Sequence, residues 1–268
     1  MGIAMLTISR DNATQDYKNF RRLNIHKIQI LFNHPHDIAG IIETNVLDVY
    51  NLPTVEIGSL VIDIGAGIGD FTILASKRVG AAGKVLSIEP IRKDFETLLA
   101  NIRLNSLSNV IPVNAAIGSP DTLEDIRFKG RSVLIRTETM HAILKEYNIK
   151  PSDFKSIFIK MDVEGLEVKA LRGMDDLILR SKAIGIELHG TKQAVDDILI
   201  PMGFMFKRFD FTCTIVNSLK FMVNSPIASI SMALLLMLNR EFPSPFKLLR
   251  GIEIAKSSDL VVGVYSRL

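Results

Sequence analysis

Short apolar runs alternate with stretches of helical period along most of this chain. Val61, Ile62 and Ile64 form a run suited to a strand buried on both faces. From Ile68 onward, Phe71, Ala75 and Val79 recur at helical spacing, and Lys84–Ile88 makes a second apolar strand. Phe95, Leu98, Leu99 and Ile102 fall at i, i+3, i+4 and i+7, which predicts a helix over 91–105, and Val110–Val113 predicts a third strand. Residues 118–152 are less regular, with a strand expected at Ser132–Ile135 and a helix over Thr139–Tyr147. Ile157–Met161 is a fourth apolar strand, followed by a helix that stops near Gly173. Ala183–Leu188 is a fifth strand, Val195, Ile198, Leu199 and Met202 mark the next helix, and Gly203–Phe209 and Leu260–Tyr265 are the last two strands. Strands that alternate with helices imply an α/β fold with a doubly wound, mostly parallel sheet, whose ligands gather at the carboxyl ends of the strands.

The flanks are less regular. Ile38, Ile41, Ile42, Val46 and Val49 give an irregular helical stripe that ends before Pro53, so residues 1–57 are expected to form an N-terminal helical cap on a domain spanning 58–268. Residues 211–258 form an insertion before the last strand. Within it, Ile227–Leu238 is almost wholly apolar but too short to span a bilayer, which needs about 20 residues. A buried helix, a lid over a substrate pocket and a contact in a homodimer are the alternatives for this run.

The richest stretch is Val61-Ile-Asp-Ile-Gly-Ala-Gly-Ile-Gly-Asp70, in which Gly65, Gly67 and Gly69 join a strand to a helix. Glycines there let the backbone turn sharply and approach a ligand with no Cβ in the way. The second strand ends in Glu89, placed to accept hydrogen bonds from both hydroxyls of a ribose, with Pro90 beside it. A dinucleotide fingerprint, G-x-G-x-x-G counted from Gly65, would need glycine at position 70, where Asp70 instead opposes a pyrophosphate. The observed D-x-G-x-G-x-G is the pattern of S-adenosylmethionine (SAM) sites. That cofactor carries an ammonium and a sulfonium, so carboxylates such as Asp63 are favourable neighbours. Asp63, Gly65, Ala66, Gly67, Gly69, Glu89 and Pro90 are therefore the expected cofactor residues on this side of the sheet.

Composition narrows the setting. Of 268 residues 47% are hydrophobic, enough to bury a sizeable core, and 32 basic against 29 acidic residues are too evenly balanced to argue for nucleic acid. The single cysteine, Cys213, excludes an internal disulfide, and no Cys/His spacing suggests zinc. The N-terminal residues show no basic segment followed by a long apolar run, so no signal peptide is apparent and the cytoplasm is the expected compartment.

A second motif, Lys160-Met-Asp162-Val-Glu164-Gly165-Leu-Glu167, follows the fourth strand, and Ile186-Glu187-Leu188-His189 closes the fifth. With the glycine turn and Asn101-Ile-Arg-Leu-Asn105, these segments resemble the FkbM family of SAM-dependent methyltransferases over about residues 57–190. The family's K-x-D-x-E-G-x-E signature is matched by Lys160, Asp162, Glu164, Gly165 and Glu167; Gly67 stands where members often carry Asn. The resemblance implies a Rossmann-like, seven-stranded class I methyltransferase fold. It also implies methylation of a hydroxyl on a small molecule, sugar or glycolipid, and a border to the adenine made by Ala115 and Ala116.

Methyl transfer to an alcohol requires alignment, exclusion of water and removal of a proton. Asp162 at the end of its strand, Glu164 at the next helix start, and Glu187 and His189 on one side of the adjacent strand are expected to converge. His189, whose pKa lies near neutrality, is the expected general base, with Asp162 and Glu164 the other catalytic candidates and Asp162 also touching the cofactor. Glu167 reads as a solvated or structural carboxylate, and no residue is assigned to a metal. Two other functions are weighed. In an RNA methyltransferase related to the tRNA guanosine enzymes, an Asn-Pro-Pro motif would occupy the place of Asp162–Gly165, and two carboxylates there would repel a phosphate backbone. The other is a non-catalytic SAM-binding protein, against which the intact Gly65, Gly67, Glu89 and Asp162 argue.

Overall fold

The computed structural model describes residues 7–10, 20–25, 28–34, 37–120, 122–128, 131–174, 176–209 and 260–267. The chain begins with an antiparallel sheet of β1 (Thr7–Arg10), β2 (Arg21–Ile25) and β3 (Ile28–Phe32), in that order. Among its described residues the expected helical cap is thus sheet in its first part and helical in its second. Leu23 and Ile25, then Ile28, Ile30 and Phe32, alternate at the strand period and are buried, whereas the helical stripe starts only at Ile38. There α1 (Asp37–Ile42) forms, its start held by the Asp37 carboxylate, which accepts from the backbone N–H groups of Asn33 (3.3 Å) and His34 (3.0 Å). A π-helical turn, Glu43–Leu47, follows.

The main sheet contains β4 (Leu60–Ile64), β5 (Lys84–Ile88), β6 (Val110–Val113), β10 (Ile157–Met161), β11 (Ser181–His189), β12 (Met205–Arg208) and β13 (Leu260–Ser266). Their order is β12-β13-β11-β10-β4-β5-β6, all parallel except β13, which runs antiparallel to both neighbours. This is the seven-stranded, mostly parallel α/β architecture expected. Its helices include α2 (Asp70–Val79), α3 (Arg92–Leu104), α5 (Glu167–Arg172), α6 (Leu177–Arg180) and α7 (Lys192–Leu199). Alternate residues of β4 serve the two faces: Leu60, Ile62 and Ile64 join one core with Ile159, Met161, Ile184 and Ile186, and Val61 joins another with Phe71, Ala75, Val79 and Phe158. A small second sheet, β7 (Ala116–Ile117), β8 (Thr122–Phe128) and β9 (Arg131–Glu138), leads to α4 (Met140–Glu146), which Thr139 caps by accepting from the N–H of Ala142 at 3.2 Å.

Register sets the position of the site. Ile64 lies opposite Ile88 of β5 and Met161 of β10, so Gly65, Glu89 and Asp162 emerge level with one another. The direction of winding reverses between β4 and β10, and that reversal opens a crevice at the strand ends. The insertion at 211–258, with its apolar run 227–238, lies outside the described residues. Among the described residues no helix is long and apolar enough to cross a membrane.

Candidate active site

A cavity occupies that crevice. Gly65, Gly67, Glu89, Ala115, Asp162 and Glu164 contribute to its lining, together with Pro90, Asp94, Ala116 and Leu166. Gly65 and Gly67 both have left-handed backbones, at φ +74° and +54°. A Cβ on Gly65 would overlap the carbonyl oxygen of Asp162, while the space beside Gly67 is open for a ligand. Glu89 is 4% exposed. Its Oε2 accepts from the Gly67 N–H and its Oε1 from the Ile91 N–H, both at 2.7 Å, which leaves each oxygen a further lone pair for a ribose hydroxyl. Burial pushes this carboxyl up to about 7, against the backbone hydrogen bonds from Ile91 and Gly67 that favour its charge.

Three residues expected at the cofactor lie behind it. Asp63 is fully buried, its Oδ2 accepting from Thr72 Oγ1 at 2.6 Å and its Oδ1 lying 3.2 Å from Lys160 Nζ. It points into the core because Ile62 and Ile64 take the other face of β4. Gly69, at φ +89°, begins α2, and a Cβ there would meet Leu98. Ala66 is buried against Phe95 and Leu98. The Lys160 ammonium donates to the Gly65 carbonyl at 2.5 Å, so the motif lysine holds the glycine turn from within. Burial alone would lower the Lys160 pKa, but Asp63, Asp162 and Asp70 hold it above its ordinary value.

The catalytic candidates do converge. Asp162, Glu164 and His189 present ligand-type atoms within 4.8 Å of one another, the spacing of a three-ligand divalent cation site. His189 Nε2 lies 3.6 Å from Glu164 Oε2 and 3.5 Å from Glu187 Oε1, and its Nδ1 is 2.9 Å from Glu167 Oε1. Glu167 is neither solvated nor idle. It is fully buried and accepts from Thr191 Oγ1 at 2.7 Å and from the Gly165 N–H at 2.9 Å, so it fixes the ring of His189. Burial alone would lower the His189 pKa, but the hydrogen bonds to Glu167 and Glu187 and the charges of Glu187 and Asp162 push it up to about 10. The raised pKa favours the charged imidazolium, which supplies positive charge and is a poor acceptor for a proton.

Opposite stands a residue that sequence reasoning missed. Glu43, from the π-helical turn, is exposed at the surface and lies within electrostatic reach of Glu187, Asp162 and Asp70. Desolvation and those carboxylates raise its pKa well above the usual carboxylate range. Tyr50 Oη adds a contact to Glu187 Oε2 at 3.5 Å. The only local signal was an acid at the end of the Ile38–Ile42 stripe.

Residues 63–213 match the profile of the methyltransferase FkbM domain, more than half of the chain. The chain belongs to the FkbM methyltransferase family. Its cofactor is S-adenosylmethionine, and the glycine cradle with the Glu89 carboxylate fits the adenosine of that molecule. Residues 4–118 also match the protein-L-isoaspartate(D-aspartate) O-methyltransferase profile. "Methyltransferase 1" of Beauveria bassiana (strain ARSEF 2860) is 28% identical over 148 residues, which cover 44% of this chain and 59% of that relative. Among solved structures, a SAM dependent methyltransferase from Aquifex aeolicus is 16% identical with a TM-score of 0.41, covering 65% of this chain and 90% of that one. M. jannaschii TYW2 in complex with AdoMet is 12% identical with a TM-score of 0.44, covering 98% and 94%.

The buried Glu89 carboxyl gives this FkbM site an expected pH response. A ribose donates to the ionised form, so a proton competes with the ligand below the pKa of about 7. Affinity for S-adenosylhomocysteine (SAH) should therefore hold on the alkaline side and fall by up to about tenfold per pH unit on the acid side. Calorimetry between about pH 5.5 and 8 checks this, and Glu89→Gln should bind weakly with no such slope.

Proposed function

We propose that this chain transfers the methyl group of SAM to a hydroxyl of a small molecule, sugar or glycolipid, bound between Asp162, Glu187, His189 and Glu43. The observation that carries the reading is the gathering of carboxyl groups in that wall. Asp162, which lines the cofactor cavity, lies within electrostatic reach of Glu187 and of Glu43, carboxyl groups from two other segments, and Lys160 is turned inward to Gly65. Such a surface accepts hydrogen bonds from hydroxyl groups, and in its ionised state it repels the phosphates of a nucleic acid.

Bound SAM supplies a methyl group on a sulfonium, ready for in-line displacement by an oxygen nucleophile. Asp162 is the group suited to take the hydroxyl proton. Burial and the charge of Glu187 push its carboxyl up to about 8, so it gains a proton readily near neutrality and loses it again to solvent. The His189 imidazolium holds Glu164 and Glu187 in place and offsets their charge. Glu167, locked by Thr191 and Gly165, sets the ring plane.

The experiment is methyl transfer from labelled SAM to hydroxylated sugars, glycolipids and unmodified tRNA. Label in a sugar or glycolipid hydroxyl is the expected result. Label in tRNA alone would replace this reading with an RNA methyltransferase.

A further inference from the structure

Asn101 on α3 and Asn105, the residue that ends it, stand one turn apart and face the edge of β3. Asn101 Oδ1 accepts from the Leu31 N–H at 2.7 Å, and its Nδ2 donates to the Leu31 carbonyl at 3.0 Å. Asn105 repeats the pattern on Gln29, accepting at 3.1 Å and donating at 2.6 Å. Four helical residues rise about 6 Å and two strand residues about 6.7 Å, so amides at i and i+4 can pair a strand edge as a neighbouring strand would.

Asn101 does something that Asn105 does not. It is fully buried, and its Nδ2 also donates at 2.8 Å to the carbonyl of Ile68, inside the glycine turn. The Ile68 side chain packs in one apolar cluster with Ile30 of β3 and with Ile38, Ile41 and Ile42 of α1. Glu43 comes directly after Ile42, and the next residue, Thr44, donates through Oγ1 to Asp70 at the start of α2 at 2.8 Å. A single amide therefore holds the turn that lines the cofactor cavity and the strand beneath the segment that carries Glu43.

We infer that Asn101 is a positioning residue that couples cofactor binding to the acceptor wall. A cofactor that orders residues 65–69 fixes β3 and residues 37–47 through Asn101 and Ile68, and by linkage an ordered wall tightens the cofactor. The consequence is an ordered reaction in which the cofactor enters before the acceptor. That consequence rests on the proposed acceptor wall; the coupling itself concerns the cofactor alone, and its test reads SAH.

The test is amide hydrogen exchange by mass spectrometry on the full chain, with and without SAH. In the wild type, SAH should slow exchange roughly threefold or more in residues 28–32 and 37–47 as well as in 65–69. Asn101→Ala should bind SAH at least about tenfold more weakly and, when saturated, should protect 65–69 without protecting 37–47. Asn105→Ala, which loses Gln29 but leaves the turn untouched, should loosen β3 while keeping SAH affinity within about threefold and keeping the protection of 37–47. Wild-type protection confined to 65–69, or wild-type affinity and protection in Asn101→Ala, would overturn the coupling. Should Asn101→Ala not fold, the wild-type comparison decides by itself. A wild-type chain that binds no SAH would overturn the cofactor reading, and the coupling with it.

Discussion

Lys160→Met should cost about 3–5 kcal/mol of folding stability, the usual consequence of stripping one partner from a buried ion pair. Lys160 is 4% exposed and Asp63 fully buried, so the carboxylate left behind can neither reach water nor find another cation among its described contacts. The Gly65 carbonyl loses its donor in the same step, and with it the internal support of the glycine turn. Urea denaturation followed by circular dichroism measures the loss. Pairing the change with Asp63→Asn should recover most of it, because a neutral amide is cheaper to bury and still accepts from Thr72. A single variant as stable as the wild type would mean that the Lys160–Asp63 pair does not stabilise the fold.

Asp162→Asn should lower turnover by about 10²–10⁴, the range for losing a general base, once an acceptor is in hand. The wild-type single-turnover rate should climb with pH towards about 8, the value to which burial and Glu187 raise this carboxyl, and level off above it. The variant should lose that climb. His189→Ala should behave differently. A missing imidazolium takes its counter-charge from Glu164, Glu187 and Asp162, so the Asp162 carboxyl, left with Lys160 alone to lower it, rises further and the pH climb moves to the alkaline side. An unchanged pH profile in Asp162→Asn would remove the carboxylate from proton transfer.

What could be read in the sequence was what depends on neighbours along the chain. The strands at Lys84–Ile88, Val110–Val113 and Ile157–Met161 follow from apolar runs alone, and the structure gives them those bounds. The convergence of Asp162, Glu164 and His189 followed from placing each at a parallel strand end. Long-range pairings carried no such mark. Lys160 reaches Gly65 across 95 residues and Glu167 reaches His189 across 22, so their duties depend on sheet register that no local pattern prints. Asp63 looked like a cofactor residue because it precedes the glycines, but strand alternation turned it away from the cavity. The N-terminal region looked helical because the stripe from Ile38 outweighed the two-residue alternation from Leu23 to Phe32. Glu43 lies in the part that is helical, and only the folded chain brings it near Asp162 and Glu187.

The apolar cluster shared by the hairpin and the glycine turn bears on where this chain can be cut. A chain started at residue 58 keeps every strand of the main sheet, yet it bares Ile68 and Ile73 and strands the amide of Asn101 without Leu31. The boundary drawn at 57/58 by reading along the sequence therefore passes through a single piece of hydrophobic core. A clean excision of the methyl-transfer domain has to carry the hairpin with it, and a shortened chain should clump through its exposed isoleucines before any question of its chemistry arises.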